Sequence, residues 1–170
     1  MNLLRRFAAM KTTVNEMGER PTKSKKNDDM KYFSINELAR TDTRLPNMPS
    51  PEEAANLEHL IDAVLDPARE AMGCPIRINS GYRSPAVNKK VGGASTSQHV
   101  RGEAADLDTT DNAKLFSWIR ANVDFDQLIW EFGTDRSPDW VHVSIKRSGI
   151  NRKSVLRAKK ASGTTIYVKL

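Results

Sequence analysis

Ser97-Gln98-His99-Val100-Arg101-Gly102-Glu103-Ala104-Ala105-Asp106 says more about the architecture of this chain than any other stretch. A polar turn leads into Ala104 to Asp108, which suits a short strand. Alternation there puts Asp106 on the face of Ala104 and Asp108, with Ala105 and Leu107 opposite. A second stretch, Asp139-Trp140-Val141-His142-Val143-Ser144, belongs to a strand running from Trp140 to Lys146. Within it His142 shares a face with Trp140 and Ser144, whereas Val141, Val143 and Ile145 make an apolar face. A polar histidine on the face turned away from the core suits a cleft.

Outward from these strands the chain alternates short helices and strands. Ser34-Ile35-Asn36-Glu37 reads as a capping box opening a short helix, and Ser50-Pro51-Glu52-Glu53 as a second helix start. Leu57, Leu60, Ile61, Val64, Leu65, Ala68 and Met72 give the second helix one apolar face, and Pro67 should kink or divide it. Pro75 to Asn79 reads as a strand, followed by the turn Ser80-Gly81-Tyr82-Arg83-Ser84-Pro85 and a short helix through Val91. Gly92 to Ser97 is a connector. Asp111 to Val123 suits an amphipathic helix with Leu115, Trp118 and Ile119 inward, and Gln127 to Phe132 a further strand. Residues 150–170 read as a basic C-terminal segment or an edge hairpin turning at Gly163. The pattern implies an α+β domain with a small, mainly antiparallel sheet and flanking helices.

At 170 residues the chain supplies one sizeable core, and 38% hydrophobic with 28% charged residues suits a globular domain. Residues 1–29 read as a flexible basic extension and 30–170 as the folded domain, with Met30 an alternative translation start. The net charge of +6 gathers before Lys31 and after Lys146, which suits nucleic acid or an anionic wall polymer equally. No recognised nucleic-acid motif accompanies it. No run reaches the roughly 18 apolar residues of a membrane span. The apolar patch at Phe7 to Met10 is too short for a signal peptide, so synthesis in the cytoplasm is expected. The single Cys74 reads as an ordinary packed thiol, and His59 as a helix-surface histidine.

A histidine and an aspartate separated by six residues are weak evidence alone. Together with Ser80-Gly81-Tyr82-Arg83 and the His142 stretch, however, they resemble the zinc D-alanyl-D-alanine carboxypeptidase family. These M15 peptidases, of which subgroup A fits best, also include phage L-alanyl-D-glutamate endolysins and D-Ala-D-Ala dipeptidases. The resemblance runs from about Met30 to about Ser148 and implies a Hedgehog/DD-peptidase-like zinc fold. It implies one Zn2+ held by His99, Asp106 and His142. The residue chemistry agrees, since zinc takes imidazole nitrogen and carboxylate oxygen, and a catalytic site keeps a fourth position for water.

Bound zinc lowers the pKa of water from 15.7 to about 7, and a carboxylate must still carry the proton to the departing amine. The family places that acidic residue three positions before the last histidine ligand, which here is Asp139. Residues three apart in a regular strand face opposite ways, so Asp139 requires a bend at Pro138. The resemblance gives Arg83 a carbonyl or substrate contact and lets Tyr82, Ser97 and Gln98 line the cleft. Asp108 is expected as a second carboxylate supporting the site.

The implied function is hydrolysis of a peptidoglycan stem-peptide amide, by a D,D-carboxypeptidase or an L,D-endopeptidase. A phage lysin released from the cytoplasm to act on the wall fits this reading. The alternatives are a cytoplasmic D-Ala-D-Ala dipeptidase and a non-catalytic zinc-binding module of the same fold.

Overall fold

The computed structural model describes residues 31–170, so the N-terminal extension and Met30 lie outside the described residues. The chain enters on α1 (Ile35–Leu38), where the Ser34 hydroxyl accepts from the Glu37 N–H. α2 (Pro51–Leu60) opens on a full capping box: Ser50 accepts from Glu53 N–H, and the Glu53 carboxylate accepts from Ser50 N–H at 2.6 Å. Pro67 does divide this helix. It has no N–H and its ring crowds the preceding turn, so the helix widens to π geometry over Ile61–Leu65 before α3 (Asp66–Met72). The start of the described chain is tied to α3, the Asp66 carboxylate accepting from Lys31 and Tyr32 N–H.

β1 (Arg77–Ser80), α4 (Pro85–Lys90), a 3-10 turn at Gln98–Arg101, β2 (Ala104–Asp108), α5 (Asn112–Asn122), β3 (Gln127–Glu131) and β4 (Trp140–Ser144) follow. β5 (Ser154–Ala161) and β6 (Thr164–Lys169) form a C-terminal hairpin. The six strands make one sheet in the order β1-β2-β4-β3-β5-β6. Every pair is antiparallel except β3–β5, a parallel pairing that ties the hairpin to the sheet.

Alternation divides the sheet into two faces. Ala105, Leu107, Leu128, Val141 and Val143 join Leu57, Leu60, Ile61, Val64 and Leu65 and, from α5, Leu115 and Ile119 in one core. Phe116 also belongs to it, packed edge-on against Trp130. Asp106, His142, Ile129 and Glu131 occupy the opposite face, where the cleft lies.

Two glycines let backbone segments meet beside that cleft. Gly102 ends the 3-10 turn at φ +69°, and a Cβ there would lie 2.5 Å from the Glu53 carbonyl oxygen. A Cβ on Gly81 would lie 2.3 Å from the Leu38 carbonyl oxygen, closing the contact between α1 and the end of β1. Gly102→Ala should therefore cost roughly 2–3 kcal/mol from left-handed strain plus collision with fixed backbone. Urea denaturation will check it, and a variant as stable as wild type would refute the close approach.

Candidate metal centre and cleft

The 3-10 turn, β2 and β4 bring three side chains to one point. His99 Nε2 lies 3.3 Å from Asp106 Oδ1 and 3.3 Å from His142 Nδ1, and His142 Nδ1 lies 2.9 Å from the same Asp106 oxygen. Donors held about 2.0–2.2 Å from a tetrahedral zinc lie about 3.3 Å from one another, so this triangle has the size the ion demands. All the ligand atoms fall within 4.8 Å of one another.

Surrounding groups hold each donor. His99 Nδ1 lies 2.7 Å from the Gly81 carbonyl, an arrangement in which Nδ1–H donates and Nε2 is left facing the cluster. Asp106 and His142 pair directly across β2 and β4. Arg83 Nη2 donates to Asp106 Oδ2 at 2.7 Å, and Arg83 Nε donates to Ser80 Oγ at 2.7 Å. Burial resists the charge on Asp106, which is only 9% exposed. His99 and His142 nonetheless hold its carboxyl well below the usual carboxylate range.

The cluster sits in a cleft of about 880 Å³. Arg83, Ser97 and Gln98 are among the residues that line it. Gln98 is buried, and its amide is engaged: Oε1 accepts from Ser144 Oγ at 2.8 Å, and Nε2 donates to Asp126 Oδ2 at 3.1 Å. It braces the turn that carries His99. Asp126 is itself 0% exposed. Burial resists its ionisation, but Arg152 and Lys146 hold its carboxyl below the usual range.

Three of the expected residues lie outside the cleft lining. Tyr82 does not line the metal cleft. Its side chain is buried in the core, and burial together with the nearby Glu53 carboxylate pushes its phenol up to about 12. Adjacent residues on an extended segment face opposite ways, so Arg83 enters the cleft and Tyr82 leaves it. Asp139 also lies outside the cleft lining and is exposed. The bend that its expected role required is present at Asp139, whose N–H donates to the Glu131 carbonyl at 2.9 Å. Asp108 pairs with Arg77 and accepts from Asn112 at 3.0 Å, so it does not support the metal cluster.

Glu131, absent from the residues expected, stands in the cleft instead. It is 7% exposed. Burial pushes its carboxyl up to about 7 against the pull of His142, with Asp106 adding to the rise and Arg83 opposing it. Alternation along Gln127 to Glu131 was the signal that could have found it, since Gln127, Ile129 and Glu131 share the cleft face.

The α+β sheet thus gathers in one cleft a His-Asp-His cluster able to hold a metal ion, a buried carboxyl and a fixed guanidinium. Residues 31–144 match the Peptidase M15 family, and the chain belongs to it. A 44-residue segment is 54% identical to a protein of Streptomyces albus G named zinc D-Ala-D-Ala carboxypeptidase. The segment is 25% of this chain and covers 17% of that relative's length. The family and the relative's name imply zinc, and the donor set fits it.

A carboxyl with a native pKa above its unfolded value of about 4.5 binds extra protons in the native state. Its stabilising effect is full below that value and is lost as pH rises through about 7. Metal-free wild type should therefore lose on the order of 2 kcal/mol relative to Glu131→Gln between about pH 5 and about pH 8. Parallel denaturation curves at the two pH values test this, and identical pH dependence in both proteins would contradict it.

Proposed function

We propose that this protein is a zinc peptidase that hydrolyses an amide bond in peptidoglycan stem peptides. The observation that carries the reading is Glu131 in the same cleft as the His99, Asp106 and His142 donors. A purely structural zinc site is closed by protein ligands, whereas three donors beside a sizeable cleft leave a coordination position free. Membership of the M15 family and the name of the Streptomyces relative support peptide amide hydrolysis and a D-alanine-containing substrate.

Zinc, when bound, supplies Lewis acidity toward water and the amide carbonyl. The residues of the chain supply the rest. A Glu131 carboxylate oxygen accepts a proton from the attacking water and delivers it to the amide nitrogen, which leaves poorly unless protonated. In the metal-free protein burial raises the Glu131 carboxyl to about 7, so that it exchanges protons near neutrality. Arg83 fixes the outer oxygen of Asp106 through Nη2 and keeps Nη1 for a substrate oxygen, its planar fork allowing both contacts at once.

Purified zinc-loaded protein incubated with peptidoglycan should release new termini visible by mass spectrometry. Free D-alanine will identify a carboxypeptidase, and new internal termini an endopeptidase. Glu131→Gln should retain zinc and lose about 100-fold or more in kcat, whereas Asp139→Asn should stay within a few-fold of wild type. The reverse ranking would return the proton-transfer role to Asp139. A zinc-containing wild type that cuts nothing would leave a binding module.

A further inference from the structure

The hairpin β5–β6 lies beyond residues 31–144, which match the family. It nevertheless forms a wall of the metal cleft through Leu156, Thr165 and Tyr167. The strand register explains how. Trp140 pairs with Glu131, Glu131 with Ala158, and Ala158 with Tyr167. These residues form a single row across the cleft face, with Tyr167 two strands from Glu131, about 10 Å along the sheet. Ala158 between them carries only a methyl group and is fully covered, at 0% exposed. A long side chain at 167 can therefore reach over it toward Glu131.

Tyr167 keeps 54% of its surface exposed, so it is accessible from the cleft as well as packed on the sheet. Burial and then the charges of Glu131 and Asp106 raise its phenol above the ordinary value. The carboxylates act on it through space, and the hydroxyl stays protonated as a donor. Several other cleft donors are committed: Arg83 Nε and Nη2 to Ser80 and Asp106, Lys146 and Arg152 to Asp126, and the Gln98 amide to Asp126.

We propose that Tyr167 is a substrate-contacting residue whose hydroxyl donates a hydrogen bond to the carbonyl oxygen of the bond being cleaved, across Ala158 from Glu131. The inference rests on the peptidase reading. A donor aimed at that oxygen strengthens its contact as negative charge builds there, so its removal falls on kcat more than on KM.

The test compares wild type, Tyr167→Phe and Tyr167→Ala on whichever stem peptide the wild type cuts, with zinc content and Tm measured for each. Tyr167→Phe should lower kcat about ten-fold or more with KM within about two-fold, at unchanged zinc content and Tm. Tyr167→Ala should lower kcat at least as far. Wild-type kinetics in Tyr167→Phe overturn the proposal. Loss of zinc or of stability in step with activity also overturns it, by making Tyr167 a structural residue. A wild type that cuts no stem peptide defeats the peptidase reading itself, and this inference with it.

Discussion

Most of the structure can be traced to one carboxylate. Asp106 is withdrawn almost wholly from water, a move that costs several kcal/mol unless the charge is met on every side. It is met by two imidazoles at one oxygen and a guanidinium at the other. Those partners come from the 3-10 turn, β4 and the segment after β1, so satisfying Asp106 fixes how these pieces sit around β2. The sheet enforces the same arrangement independently. Ser80, Asp106 and His142 pair in register across β1, β2 and β4. A slip of one residue in β2 or β4 would turn the ligand toward the helices and expose Leu107 or Val141 in its place. The hydrophobic core thus locks the register, and the register aims the donors.

A second buried carboxylate braces this arrangement from below. Asp126 receives Arg152 and Lys146 from the segment after β4 and the Gln98 amide from the 3-10 turn. The segment carrying Arg152, and the hairpin after it, lies outside the family-matching residues. His99 follows Gln98 directly, so that segment helps to hold the turn bearing the first metal donor. An unpaired Asp126 would be a buried charge at the base of the cleft, a burden that the C-terminal segment removes.

Much of this was legible from residues. Period-two alternation through Ala104–Asp108 and Trp140–Ser144 separated donors from core, and side-chain caps at Ser34, Ser50 and Asp111 marked helix starts. The parallel pairing of β3 with β5 was not legible, because nothing local in Ser154–Ala161 names its neighbour in space. Nearness along the chain is a poor guide to which residues line the cleft, because strand geometry decides. Asp139 is three residues from His142 but lies outside the cleft lining, Tyr82 adjoins Arg83 but is buried in the core, and Glu131 is eleven residues before His142 yet lines its cleft. Applying to β3 the alternation already used on β2 and β4 would have exposed Glu131.

The two cleft carboxyls show how one fold assigns different work to chemically similar groups. Asp106 and Glu131 are both largely buried, so burial resists ionisation of each. For Asp106, contact with the two imidazoles overcomes that resistance and keeps the carboxyl ionised, as a metal donor requires. Glu131 has no such contact. It feels His142 and Arg83 at a distance and the Asp106 charge against it, so it sits near 7 and can hold or release a proton. Environments that push paired carboxyls apart separate metal holding from proton transfer. The separation follows from position in the sheet: Asp106 pairs with His142 across β2 and β4, whereas Glu131 of β3 pairs with Trp140, two residues earlier in β4.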